Sequence, residues 1–248
     1  MDEFEIRTRA EYELALRRFS YPLVITSGDD ALAAFEDLKA RKKGVPIILG
    51  GPSEFTLVDE IMSRGLVEHP SIQLILDRAA ELSFPEGFRA AKERERQMWR
   101  RRNPGLVDFE QGPPVGEWPE QAPDCPGLSL AYHWSGEPWP RVHIAVLPTD
   151  DWTAAPAFLR AGGWNSCPEA AVMVSALRSW RDRYGAELVG FSHDTMNIRA
   201  EICPASREEA LALAWEHYLF CSDALNDHTL AELGASLIAD DWWRFWWD

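Results

Sequence analysis

The sequence predicts an α+β fold of mixed α/β character. An N-terminal β-α-β unit with extra helices leads into a β-α-β-β-α-α half whose helices pack on a small mixed sheet. Short apolar runs alternate with segments of helical period on both sides of a composition break at 103–140. Capping signals and glycine stops delimit several of the helices. A length of 248 residues, 46% hydrophobic and 26% charged, suits one large or two modest globular domains. The expected organisation is an α/β region at 1–102, a connector at 103–140 and an α+β domain at 141–248.

In the first region, Tyr21-Pro22-Leu23-Val24-Ile25-Thr26 reads as a short strand. Ser27-Gly28-Asp29-Asp30 then turns into a helix with Leu32, Phe35 and Leu38 on one face. Lys39, Arg41, Lys42 and Lys43 suit the negative end of its dipole, and Gly44 stops it. Val45-Pro46-Ile47-Ile48-Leu49 is the second strand, and a parallel pair with a right-handed crossover is the default topology. Helical patterns follow at about 53–64, 70–82 and 86–102. Gly50-Gly51-Pro52-Ser53 is either an anion cradle or a plain turn with Ser53 as helix cap; it lacks the Lys-Ser/Thr of a P-loop and the spacing of a dinucleotide fingerprint.

The connector holds eight of the 17 prolines, with Gly105, Gly112, Gly116, Gly127 and Gly136 among them, which rules out regular helix or central strand. Trp118, Trp134 and Trp139 suggest that it packs against the two halves. Beyond it, 142–147 reads as a strand. Ser166 and Glu169 match a capping box for a helix running to about Tyr184, with Val172, Ala176 and Trp180 on one face and Gly185 as its stop. Strands at 187–191 and 197–202 flank a His193-Asp194 turn. Helices follow from Ser206 to about Ser222 and from Thr229 to Ile238. The closing Trp242-Trp243-Arg244-Phe245-Trp246-Trp247-Asp248 holds four of the 12 tryptophans, too much apolar surface to leave in water, and reads as a docked plug.

The formal net charge of −15 is unevenly placed. Residues 1–102 carry 18 acids and 17 bases, 103–140 six acids and no base, and 141–248 16 acids and eight bases. An acidic C-terminal half argues against a nucleic-acid partner and suits either a cationic partner or solubility alone. The basic stretch at 86–102 has Glu86, Glu93 and Glu95 interleaved, so it reads as a solvated helix face or a contact with the protein's own acidic half. The acidic start lacks the features of a signal peptide, and no apolar run approaches the roughly 20 residues of a membrane helix. Cys125, Cys167, Cys203 and Cys221 show no CxxC pair, so free thiols and a cytoplasmic location are expected, with no membrane partner.

The C-terminal half resembles the mainly bacterial family named domain of unknown function 4253. The resemblance rests on Gly163-Trp164-Asn165-x-Cys167-Pro168, Trp180-x-x-x-Tyr184-Gly185-Ala186-Glu187, Glu201-x-x-Pro204, Glu216-x-Tyr218-x-Phe220-Cys221-x-Asp223 and Phe245-Trp246-Trp247-Asp248. It implies no activity, substrate or site residue.

From the residues themselves, one catalytic constellation is conceivable. Cys167 at a helix N-terminus would have a lowered pKa, His193 would serve as base, Asp194 would orient it, and Asn165 would donate to an oxyanion. The competing reading makes Asn165 and Cys167 a packing corner. His217 and Cys221, four apart on one helix, would supply half of a zinc site, but no second pair is visible and no metal or cofactor is expected. Glu187, Glu201 and Glu216 are candidates for a carboxylate cluster. Two functional classes follow: a binding or regulatory protein acting through protein contacts, such as an immunity protein that neutralises a toxin, or a small enzyme of hydrolysis or acyl transfer built on Cys167, His193 and Asp194. The absence of a catalytic signature favours binding.

Overall fold

The structure, a computed structural model, describes residues 3–68, 70–103, 112–225 and 228–248; the connector's Gly105 lies outside them. The elements run α1 (Glu3–Arg18), β1 (Leu23–Thr26), α2 (Ala31–Ala40), β2 (Val45–Gly50), α3 (Pro52–Glu68), α4 (Ile72–Glu81), α5 (Glu86–Arg102), β3 (Val142–Leu147), α6 (Ala155–Phe158), α7 (Ala170–Tyr184), β4 (Glu187–Phe191), β5 (Thr195–Arg199), α8 (Arg207–Phe220), α9 (Leu230–Ala239) and β6 (Trp242–Trp246). No described helix is long and apolar enough to cross a membrane.

One six-stranded mixed sheet, ordered β1-β3-β2-β4-β5-β6, takes strands from both sides of the connector. The N-terminal β-α-β unit differs from the default: β1 and β2 do not pair. β3 lies between them and runs antiparallel to both, with Leu23 and Ile47 each opposite Ala145. The only parallel junction among the described strands is β2 with β4, at Ile48 and Gly190. The physical reason is hydrogen bonding. β2 is buried at every residue and needs a partner on each edge, and Val142–Leu147, itself nearly all buried, fills one of them.

Alternation along the strands feeds two cores. Ile47, Leu49, Ala145, Leu147, Leu188, Trp243 and Phe245 face a large core covered by α1, α3, α7 and α8. Ile48, Ile144 and Val189 face a smaller one, closed by Phe35 of α2 and by Leu128, Leu130 and Ala131 of the connector. Both faces are therefore covered. Asn197, fully buried on β5, ties the connector down by accepting from Leu130 N at 3.1 Å and donating to the Gly127 carbonyl at 3.3 Å. Of the connector tryptophans, Trp118 lies 4.8 Å from the Arg207 guanidinium and Trp139 packs on the smaller core, whereas Trp134 is wholly exposed.

α1 has no counterpart in the sequence reading, because its Glu- and Arg-rich surface hides the few residues that pack. Tyr12 and Ala15 reach the core, and Arg18 bonds the buried Asp59 of α3. Tyr12 also donates to His143 Nε2 at 2.8 Å, while His143 Nδ1 donates to the Gly50 carbonyl, so both ring nitrogens of this buried, neutral histidine are satisfied.

The aromatic plug is a strand. Trp243 and Phe245 point into the large core, Trp247 follows them, and the register places Thr195 opposite Trp246 and Arg199 opposite Trp242. Burying three such rings contributes on the order of 2–3 kcal/mol each. Deleting residues 242–248 is therefore expected to cause aggregation or to lower the melting temperature by about 10 °C or more. Light scattering and a thermal melt check this, and an unchanged monomer would refute it.

Candidate functional site

Four segments converge where β6 ends: the 162–168 corner before α7, the 192–195 turn between β4 and β5, the end of α8, and residues 246–248. The corner depends on glycine. Gly162 has φ 77°, and a Cβ there would lie 1.8 Å from the Pro168 carbonyl oxygen. Asn165 adopts φ 43°, which turns the chain back so that Gly163 N donates to the Cys167 carbonyl at 3.2 Å.

α7 begins at Ala170 with Glu169 as its cap and no side-chain capping bond. The Ser166–Glu169 capping box does not form, since Pro168 extends the chain ahead of the helix and Ser166 turns to Asp223 Oδ2 at 3.5 Å. Cys167 therefore precedes the helix and lacks the dipole benefit of its first turn. It is 5% exposed, and burial pushes its pKa far up, with Cys221 and Asp194 adding to the rise. The resting sulfur is a thiol.

Asp194 is the hub of the convergence. Its Oδ1 accepts from Ser192 Oγ at 3.0 Å and Thr195 Oγ1 at 2.9 Å, and its Oδ2 accepts from Trp246 Nε1 at 3.3 Å. His193 Nε2 lies 3.3 Å from the same Oδ2, and the Asp194 carbonyl accepts from Trp247 N at 3.0 Å. Asn165 Nδ2 donates to the Asp248 main-chain oxygen at 3.0 Å, and Asp248 N donates to Asp223 Oδ2 at 3.3 Å. Cys221 Sγ donates to the Trp246 carbonyl at 3.1 Å, and burial raises its pKa to about 12. Cys167, His193, Asp194 and Asn165 thus gather in one region. Asn165 Nδ2 is spent on Asp248, Asp194 divides its oxygens among Ser192, Thr195, His193 and Trp246, and no hydrogen bond joins Cys167 to His193 among the described residues.

A shallow cleft beside them, with room for about one water, is lined by Val58, Ile61, Leu159, Phe191 and His193. The buried Nδ1 of His193 has no partner. The sequence reading did not find Trp246, Asp223 or Asp248 as members of this network. The period-2 spacing of 243, 245 and 247 was the available signal, because it places Trp246 on the opposite face.

The other candidates separate. Glu187 pairs with Lys39 at 2.6 Å, Glu216 with Arg183, and Glu201 lies exposed against Gly185, so the three carboxylates form no cluster. His217 lies among Trp180, Trp243 and Phe245, 4.7–5.2 Å from each ring, while Cys221 bonds main chain. No group of three metal-ligating side chains occurs among the described residues. At Gly50-Gly51, α3 starts at Pro52, ahead of Ser53, and a Cβ on Gly51 would meet the Trp139 ring at 2.8 Å and the Glu54 carboxylate at 3.0 Å. That space is filled by an indole and an anion.

An α+β domain closed by its own aromatic edge strand is thus the class of protein. The model of the family described as Domain of unknown function (DUF4253) matches residues 143–248, from β3 to the end of β6 and its flank. No curated protein and no solved structure matches the chain.

Two predictions follow from the buried groups. Burial, with Arg183 adding, lowers the His217 pKa to about 3 from an unfolded value near 6.5. The unfolded state then binds more protons between those limits, so stability is full above about pH 6.5 and falls as pH drops towards 3. His143, also lowered by burial, acts in the same sense. His217→Phe should remove about 1.4 kcal/mol per pH unit from the slope of stability against pH below 6, read by urea unfolding; an unaltered slope would contradict it. In the native protein at pH 8, iodoacetamide should label the half-exposed Cys203 at least about tenfold faster than Cys167 or Cys221, which should react only on unfolding. Peptide mapping checks this, and rapid native labelling of Cys167 that is lost in His193→Ala would reverse the assignment.

Proposed function

We propose that the protein is a binding or regulatory module acting through contact with another protein, in the manner of an immunity protein, and that it does so in the cytoplasm. The observation that carries this reading is Trp134, whose side chain is 100% exposed. Its loop is braced rather than loose: Tyr132 bridges to Pro138, His133 N donates to the Glu137 carbonyl at 2.8 Å, and Trp139 N donates to the Ala131 carbonyl at 3.0 Å. An indole held out in a fixed position loses little entropy on docking and is a common interface anchor. Tyr132, 38% exposed, and Glu137 flank it on a segment with no base, so the complementary surface is cationic with a pocket for one ring. Four free cysteines agree with a reducing compartment.

One observation favours a second reading, a small enzyme of hydrolysis or acyl transfer: His193, whose buried Nδ1 has no hydrogen-bond partner, lines the cleft and lies beside Asp194. The buried thiol weighs against it.

The expected outcome is that the immobilised protein retains a basic partner from a lysate of its host in a salt-sensitive way, that Trp134→Ala loses that partner about tenfold or more, and that Cys167→Ser keeps it. Quantitative mass spectrometry of the retained proteins, with circular dichroism as the folding check, reads the result. Equal retention by Trp134→Ala would overturn the reading.

A further inference from the structure

The Trp134 loop is not the only feature left open to solvent. α5 carries seven bases and three acids over 17 residues, on a chain of net charge −15. Its first turns are anchored. The Phe88 ring lies 5.9 Å from that of Phe84, tilted by 32°, at the edge of the large core. From Arg89 to Arg102 every described side chain is exposed, including Met98 at 51%. Glu93 accepts from Gln97 at 2.9 Å, and Arg89, Arg94, Arg101 and Arg102 have no ion pair among the described residues. An isolated helix of about this length is marginal in water, so its exposed two-thirds gains from being covered.

A surface of opposite sign is present on the same chain. Between 112 and 140 there is no base, and Glu117, Glu120, Asp124 and Glu137 are exposed. The part of this segment that carries the first three is fastened to α9 rather than loose. Leu230 N and Ala231 N donate to the Pro114 and Val115 carbonyls at 2.9 Å, and Ser236 Oγ donates to the Pro123 carbonyl at 3.0 Å. Trp118 sits under Arg207, and Cys125 Sγ donates to the Trp242 carbonyl at 3.0 Å. The result is a fixed acidic ridge.

We infer that α5 is a docking helix for a second copy of this chain, seated on the ridge around Glu117, Glu120 and Asp124 of that copy. A two-fold arrangement satisfies both surfaces at once, each helix meeting the other copy's ridge. The interleaved Glu86 and Glu93 and the overall negative charge act against a phosphate backbone as the occupant, and a carboxylate ridge has no such conflict. The contact is one of exposed charges, so it weakens with salt.

The test is the sedimentation of the full chain at about 50 mM and about 500 mM sodium chloride. A dimer at low salt that dissociates at high salt is expected. Arg94→Glu/Arg101→Glu/Arg102→Glu should be monomeric at low salt, as should Glu117→Lys/Glu120→Lys/Asp124→Lys, with the dissociation constant raised about tenfold or more in each. Mixed together, the two charge-reversed variants should recover a dimer, a result that a merely misfolded variant cannot produce. A wild-type monomer at low salt, a mixture that stays monomeric, or retention of a DNA duplex by α5 would each overturn the inference. Trp134→Ala should leave the dimer intact, so loss of this assembly and loss of the Trp134-dependent partner are read separately.

Discussion

Burying a tryptophan is costly unless its N–H finds an acceptor, and the acceptor that Trp180 finds organises much of this protein. The ring is fully buried, stacked on Phe245 of β6 at 5.3 Å and 7°. Trp243, Phe220 and Phe84 meet it edge-on, so β6, α8 and the segment before α5 all assemble around one residue of α7. Its Nε1 donates to Glu216 at 3.1 Å, which brings a carboxylate to 7% exposure. A buried carboxylate in turn needs a cation, and Arg183, one turn along α7, supplies a bidentate fork. His217 is caught in the same cage with Nε2 unpartnered. Only its neutral form fits, because a protonated ring would add an unpaired charge beside Arg183.

β6 inherits a second constraint as an edge strand. The Asp194–Trp247 and Ala200–Asp241 bonds show which of its main-chain groups face β5, and they leave the groups of Trp242, Arg244 and Trp246 pointing outward. Open edges invite pairing with other chains. Here Cys125 and Cys221 donate to the Trp242 and Trp246 carbonyls, and the Asp240 carboxylate accepts from Trp242 N at 2.8 Å. Burial raises the pKa of both thiols and keeps the proton on sulfur, as a donor requires. The same desolvation that makes these cysteines poor nucleophiles makes them usable caps.

Local signals carried most of the elements, and long-range competition decided what they missed. The strand at 142–147 and the glycine stop at 185 emerge as read, because each is set by a run of apolar residues or by a φ of 59° that only the immediate chain controls. Thr229 and Glu232 form a full capping box, whereas Ser166 and Glu169 carry the same pattern and form none. The difference is Pro168, together with an acceptor, Asp223, 57 residues away in sequence. Insertion of β3 between β1 and β2 was not legible, since alternation reports that a strand is buried and not which strand lies beside it. In the site, Cys167, His193, Asp194 and Asn165 were found as residues; the direction of their hydrogen bonds was not, because that depends on where residues 246–248 lie.

This outcome separates composition from chemistry. A thiol, an imidazole, a carboxylate and an amide in one region satisfy the inventory of a nucleophilic site, but an active site spends its hydrogen bonds on a reacting atom and depresses the pKa of its nucleophile. In this protein the bonds of Asn165 and Asp194 run to main chain, to two hydroxyls, to an indole and to His193, and burial moves the Cys167 thiol up. Asp194 alone gathers two hydroxyls, an indole N–H and a histidine nitrogen, and so fixes the turn that β6 crosses. Cys167 is buried with the apolar side chains of the large core. Two buried nitrogens of the cluster, Nδ1 of His193 and Nε1 of Trp247, have no hydrogen-bond partner among the described residues, so the packing around β6 offsets the desolvation of both.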